Sequence, residues 1–467
     1  MNDIRKRTTP LSVDPLKTSA ATGATLAVMG VDSAIPLLHG SQGCAAFAKV
    51  FFVQHFREPL PIQTTAIDAI AAVMGSDDNA DGALKLLAER NRPEVIALIS
   101  SGLTEMQGCD LGRLKREFSA RHPELAATAV VTISAPDFCG SFETGYAAAV
   151  DALLRQLVRP LPRPQRRANQ INLLLTSALT ASDVERIKGY VSAFGLNAII
   201  LPDISLTLDG HLDDAHFNPT ATGGCHRLEI AEMGASCATI VIGQSLAASG
   251  EWLGEHYAMP VHQFDHLGGL TATDRFIQLL ATLSGRPVPA SIDRARRRYQ
   301  DALLDAHFLL SQRPVALAGE GDELALWYGV LAEVGCPLNA ALAPTASPAL
   351  AALPAGTRIA ADLGLLEAHL EQHPAALLVG NSHCRTPAAR LGLPLLRRGF
   401  PLYDWLGASD LASAGYEGGR ALLFACANLL NQHEDAAVAP YRSPYAVCAD
   451  KLPTASAHPA ACIKEAS

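Results

Sequence analysis

"INLLLTSALTASDVERIKGYVSAFGLNAIILP", Ile171 to Pro202, carries two different periodicities in 32 residues. Ile171–Thr176 is a short apolar run of the length of a buried strand, and Leu196–Pro202 is another. Between them Val184, Ile187, Val191 and Phe194 recur at helical spacing, with Ser182 predicted as the N-cap and Gly195 as the stop. Strand, helix and strand in that order form a parallel crossover unit, so the fold class expected is α/β.

The same alternation extends in both directions. Upstream, "EVIALISS" (Glu94 to Ser101) and "AVVTISAP" (Ala129 to Pro136) read as buried strands around a helical segment, Leu111 to Ala120. Downstream, "PVALAG" (Pro314 to Gly319) leads into "DELALWYGVLAEVG", and "AALLVGNS" (Ala375 to Ser382) adds a strand. The proline- and arginine-rich stretch Val158 to Gln170 has linker composition, and an arginine-rich helix, Ile292 to Leu310, bridges to the strand at Val315. The division expected is 1–165, 166–310 and 311–467, the last with C-terminal helices: three Rossmann-like domains, each a mainly parallel sheet flanked by helices. A chain of 467 residues that is 49% apolar and only 6% aromatic suits that class.

The net charge of −9, with basic clusters only at Arg163–Arg167 and Arg294–Arg298, argues against a nucleic-acid partner. Arg5, Lys6 and Arg7 are not followed by an apolar signal core, and the uncharged run Gly335 to Thr357 contains four prolines. No membrane partner is expected, and a cytoplasmic location is. Ten cysteines without CxxC or zinc-finger spacing, in a reducing compartment, read mostly as small buried apolar residues.

Several motifs invite chemistry. Gly319 and Gly321 in "LAGEGDEL" follow a strand and open a helix, but Leu324 replaces a third glycine, and Glu320 and Asp322 would repel a pyrophosphate. A tight turn explains them better than a dinucleotide site. His383 and Cys384 in "GNSHC" end a strand where α/β ligands gather, yet adjacent side chains on an extended segment point apart. Cys225, His226 and Cys237 read as core packing; Cys109 starts a helix, a position that can depress a thiol pKa, but nothing beside it supports chemistry.

Cys44 differs in its setting, "IPLLHGSQGCAAFAKVFFVQHFREP", Ile35 to Pro59. Gly40, Ser41, Gln42 and Gly43 are predicted to form a turn with room for a bulky ligand, ahead of an amphipathic helix whose free amides favour thiolate. Thiolate binds iron-sulfur clusters and soft metals. A cubane needs four ligands and this neighbourhood offers one, so the remaining ligands of such a site must come from another chain.

That stretch, with "PLKTSAATGA", "EVIALISSGLTEMQGCDL", "APDFCGSFETGY", "LVGNSHCRTPA" and "GFPLYDWLGASD", resembles the nitrogenase component 1 superfamily along nearly the whole chain. Within it the likeness is to the β-like subunit of the scaffold on which the iron-molybdenum cofactor is built. The family's catalytic β subunit holds half of an interfacial P-cluster with three cysteines. The resemblance places Ser19, Cys44 and about Gly102 at those positions, so one thiolate of three is kept. It implies a [4Fe-4S] cluster shared with an α-like partner in an α2β2 heterotetramer, with Gly43 and Cys44 on this side and Cys44 as the metal ligand. It implies a cofactor precursor held mainly by that partner, transient docking of the nitrogenase Fe protein, transfer to the catalytic nitrogenase protein, and no independent catalytic residues. The alternative is a catalytic reductase subunit, of nitrogenase or of dark-operative protochlorophyllide reductase.

Overall fold

A computed structural model of the protein describes residues 4–8, 12–160, 166–212 and 218–437. Arg163 of the first basic cluster, Cys448, Cys462 and any helix after residue 437 lie outside the described residues.

Among the described residues every strand pairing is parallel, and the strands fall into three sheets. The first sheet has the order Gln63–Thr64, Ala34–His39, Val95–Ser100, Ala129–Ile133. The second runs Asn197–Leu201, Arg167–Leu175, Ser236–Ile242, Val261–Phe264. The third places Val315–Ala318 between Leu338–Ala343 and Leu377–Gly380, with Leu395–Arg397 on one flank. Its other flank is Arg358–Ala360 and then Arg5–Lys6, so the N-terminal strand joins the sheet built from the far end of the chain. Ala34–His39, Val95–Ser100, Val315–Ala318 and Leu377–Gly380 are buried at every residue, because helices cover both faces of a parallel sheet.

The crossover read from Ile171–Pro202 is present: Gln170 to Leu174 pair in register with Asn197 to Leu201 across the helix Ala181–Ala193. Its start differs from expectation. Thr180, not Ser182, is the N-cap, since Thr180 Oγ1 accepts from Asp183 N at 3.2 Å while Asp183 Oδ2 accepts from Thr180 N at 3.2 Å. Reciprocal bonding satisfies two orphan amides at once, which a serine inside the first turn cannot do. Gly195 does end the helix, with φ +69 just past Phe194.

The helix Ala20–Met29 is buried at all ten positions. It lies against Phe142–Leu157 so closely that a Cβ on Gly23 would sit 1.8 Å from Phe142 O, and one on Gly145 would sit 1.8 Å from Ala20 O. Backbone meets backbone there, and only glycine permits it.

The sheets converge on the turn between Ala318 and the helix Gly321–Glu333. Ser141 Oγ donates to Glu320 Oε2 at 2.6 Å, and Asp322 N donates to Glu143 Oε2 at 2.7 Å, joining this turn to the head of the helix Phe142–Leu157. Thr176 Oγ1 and Ser245 Oγ each donate to Asp322 Oδ2 at 2.6 Å, joining it to loops after strands of the second sheet. Glu323 Oε2 accepts from Glu320 N at 2.8 Å and closes the turn on itself. Burial raises the carboxyl pKa of Glu143, Glu320 and Asp322, and moves Glu323 from 4.5 to about 8.

Three expectations follow from these contacts. Gly145→Ala and Gly23→Ala should each cost about 1–3 kcal/mol by overpacking, read as a lower denaturation midpoint; unchanged midpoints would contradict the helix contact. Asp183→Ala should cost about 2–4 kcal/mol through its cap and the buried amides it leaves unpaired, whereas Ser182→Ala should stay within about 0.5 kcal/mol. Glu323 binds its proton more tightly folded than unfolded, so its contribution is full below about pH 4.5 and is lost as pH rises towards about 8. Melting temperature should therefore fall less steeply between those limits in Glu323→Gln, and an identical slope would refute the assignment.

Candidate functional site

Three neighbouring strands of the first sheet, Ala34–His39, Val95–Ser100 and Ala129–Ile133, deliver their following loops to one edge. Cys44 stands there as the third residue of the helix Gln42–Phe56. Gln42 and Gly43, expected in a turn, are already helical, so the turn is only Gly40 and Ser41. Two residues suffice because the strand end is pinned from several sides. Gly40 N donates to Thr65 Oγ1 at 3.2 Å, Thr64 Oγ1 donates to Gly40 O at 3.2 Å, and Thr104 Oγ1 donates to His39 O at 3.2 Å. His39 is buried between Thr65 and Ser76, and desolvation lowers its pKa to about 4, so the anchor is a neutral imidazole.

The Cys44 thiol is exposed, with Ser41 Oγ at 3.5 Å. Glycine shapes the space around it: a Cβ on Gly40 would lie 2.8 Å from Ser101 Oγ and 4.0 Å from the sulfur, while one on Gly43 would meet only Ser41 Oγ at 3.9 Å. Gly102 begins the helix Gly102–Met106 on the next loop, and a Cβ there would reach the Phe138 ring at 3.8 Å. Ser19 is the N-cap of the buried helix Ala20–Met29, and its hydroxyl donates to Asp137 Oδ1. Ser101 and Asp137–Phe138 thus link Ser19, Cys44 and Gly102 along a single edge.

An apolar rim surrounds that edge. The helix Gln42–Phe56 buries Ala45, Ala48, Phe52 and Phe56, yet its outer face carries Phe47, 72% exposed, with Val50 and Val53. The helix Ala69–Met74 has no buried residue and exposes Ile70, Val73 and Met74; Gln107 Nε2 ties it to the Cys109 loop through Ala71 O and Ala72 O. Met106 and Phe138 are also exposed. Monomer surfaces rarely gather so many large apolar side chains in one region unless a partner covers them.

The remaining sequence candidates separate. Cys109 was expected to have a lowered pKa, but burial and the neighbouring Asp77 push it up to about 11, so it is not an activated thiol. Cys384 is fully buried and its pKa rises to about 12, while His383 bonds Pro15 O at 3.0 Å; the two form no common site. Cys225 is in the core and His226 pairs with Asp32 at 3.1 Å. Gly319 and Gly321 belong to the interdomain turn, filled by Glu323, Trp327 and Ser347. Sequence reasoning passed over Cys139, the other exposed thiol among the described residues, which lies in the loop carrying Asp137 and Phe138. Among those residues no group of three or more His, Cys, Asp or Glu side chains is arranged to hold a metal, and no helix is long and apolar enough to cross a membrane.

Comparison with known proteins bears on the fold and the family. The family model for nitrogenase component 1 type oxidoreductases matches residues 19–431. The nitrogenase iron-molybdenum cofactor biosynthesis protein NifN of Klebsiella pneumoniae is 42% identical over 95% of this chain and 96% of its own. NifN of Nostoc sp. (strain PCC 7120) is 40% identical over 92% and 95%. A solved chain described as nitrogenase Cp1 at pH 6.5 superimposes with a TM-score of 0.87 at 25% identity, covering 93% of this chain and 96% of that one. With three parallel sheets in place and alignment running from Ser19 into the last helix, the chain belongs to the nitrogenase component 1 type oxidoreductase family, alongside the NifN cofactor-biosynthesis proteins.

Proposed function

We propose that this chain is the β-like subunit of a scaffold on which the iron-molybdenum cofactor precursor matures, and that Cys44 is its single ligand to a [4Fe-4S] cluster shared with a NifE-like α subunit in an α2β2 heterotetramer. The observation that carries the reading is an exposed thiol in the first turn of a helix whose outer face is apolar. A cluster completed by another polypeptide needs its thiolate at a seam, and a seam needs an apolar surface to close over.

The residues present fit one share of such a cluster. The sulfur is exposed with Ser41 Oγ at 3.5 Å, and Gly43 beside it, where a Cβ would meet only Ser41 Oγ at 3.9 Å, leaves room for a bulky inorganic group. Ser19 and Gly102, at the positions of the family's other two cysteines, offer a hydroxyl already bound to Asp137 and no side chain at all. When bound, a [4Fe-4S] cluster supplies one-electron transfer. This chain's part is to hold the sulfur rigidly, through the threonine-pinned turn, and to exclude water with Phe47, Val50 and Phe138. In this reading Gly43 serves by leaving space, the precursor resides mainly in the partner, the nitrogenase Fe protein docks transiently, and the matured cofactor passes to the catalytic nitrogenase protein. The protein works in the cytoplasm and has no turnover of its own. The domain division 1–165, 166–310 and 311–467 belongs to the same proposal, with the strand Arg5–Lys6 contributed by the first segment to the third sheet.

The likeness to a solved nitrogenase chain gives one alternative, a catalytic reductase subunit. Acetylene or tetrapyrrole reduction by the purified complex with its electron donor would establish it; the scaffold reading expects neither.

Two substitutions test the seam. Cys44→Ala in the chain coexpressed with its α-like partner should remove iron equivalent to about one cubane per heterodimer, with loss of the reduced-state paramagnetic signal; undiminished iron and signal would sink the assignment. Phe47→Asp should weaken assembly by placing a charge in the apolar interface, seen as a shift from heterotetramer to free subunits on sizing at micromolar concentration, and an unaltered profile would place the partner elsewhere.

A further inference from the structure

Ser41 stands at the N-cap of the helix Gln42–Phe56 with the extended backbone of a capping residue, φ −71 and ψ 160, yet its side chain caps nothing. An N-cap hydroxyl ordinarily accepts from the backbone N–H two or three residues on, here Gly43 and Cys44. Two other N-cap serines of this chain do so: Ser101 Oγ accepts from Thr104 N at 3.4 Å, and Ser347 Oγ from Leu350 N at 3.1 Å. Ser41 Oγ instead lies 3.5 Å from Cys44 Sγ, within hydrogen-bonding range of a sulfur.

The other hydroxyls around this loop are engaged elsewhere. Thr64 and Thr65 bond the Gly40 backbone, Thr104 bonds His39 O, and Ser101 caps the next helix. Among the described residues Ser41 is therefore the one whose hydroxyl reaches the sulfur. Leaving a helix start without its cap costs stability, and a local rule broken without a local gain points to function.

As a thiol, Cys44 can donate to Ser41 or accept from it. A metal-bound sulfur is a thiolate without a proton, so in the ligated state only the hydroxyl can donate. Hydrogen bonds to the sulfurs are among the factors that set an iron-sulfur reduction potential. An added electron increases the negative charge on the ligand sulfur, so a donor there stabilises the reduced form more than the oxidised one. The positive end of the helix Gln42–Phe56 acts in the same direction. Both effects strengthen once a partner covers the apolar rim and lowers the local dielectric.

We propose that Ser41 is a positioning residue that donates to the Cys44 sulfur and raises the reduction potential of the cluster bound there. The inference rests on the assignment of Cys44 as a ligand.

The test is a redox titration of the coexpressed complex, followed by its reduced-state paramagnetic signal. Ser41→Ala should keep its iron and its melting temperature while the midpoint potential falls. The ratio of reduced to oxidised cluster at a fixed potential should drop about three- to tenfold, a tenfold drop being about 59 mV for one electron. Ser41→Thr, which keeps a hydroxyl, should restore the unaltered midpoint. An unmoved midpoint in Ser41→Ala with full iron overturns the proposal; a lower melting temperature alone would mean that the hydroxyl serves only the helix. Loss of iron in Ser41→Ala overturns it too, since the hydroxyl would then hold the cluster rather than adjust it. Cys44→Ala separates this inference from the wider reading. Retained iron and signal in that variant would remove the ligand assignment itself, whereas loss of both, with an unmoved midpoint in Ser41→Ala, would remove only the role of Ser41.

Discussion

The carboxyl groups at the head of the helix Gly321–Glu333 are the constraint on which the arrangement of the three sheets depends. A helix N-terminus has free amides and a positive end, and here Glu320 and Glu323 cap it reciprocally. What distinguishes this turn is that its acids also take hydroxyls and amides from Ser141, Thr176, Gln244 and Ser245, on segments that follow strands of the first and second sheets. Buried carboxyls without such donors would be strongly destabilising, so each sheet's loops make the others' polar groups tolerable. The three sheets are thus tied together by hydrogen bonding as well as by apolar contact.

That rigidity matters at the first sheet's edge. Cys44 is not held by its own contacts, which are few, but by the strand end behind it and by the crossing of Ala20–Met29 with Phe142–Leu157. The latter fixes Ser19 and the 137–138 segment relative to the sulfur. A group displayed on a pre-organised edge has little conformational entropy left to lose on binding, and exposed apolar side chains gain by being covered.

Chemistry at the edge and chemistry at the centre are of opposite kinds. The edge displays an exposed thiol, whereas the centre buries carboxyl groups among hydroxyl and amide donors. Both arise where parallel strands end, because such ends gather loops from distant parts of the chain and leave backbone amides available.

The sequence by itself determined the α/β class, the crossover at Ile171–Pro202, the strands at Val95–Ser100, Val315–Ala318 and Leu377–Gly380, and the singular setting of Cys44. These are local signals, set by periodicity and by residue type. It misplaced one cap, taking Ser182 where Thr180 and Asp183 bond reciprocally, because caps depend on which side chain reaches which amide. It gave Cys109 the wrong ionisation tendency, because burial and the Asp77 charge come from elsewhere in the fold. Only the tertiary structure joined Arg5–Lys6 to the third sheet, linked Ser19 and Gly102 through the 137–138 segment, and revealed Cys139 in the same loop region. Such features rest on contacts between residues hundreds of positions apart, and sequence spacing holds no record of that distance in space.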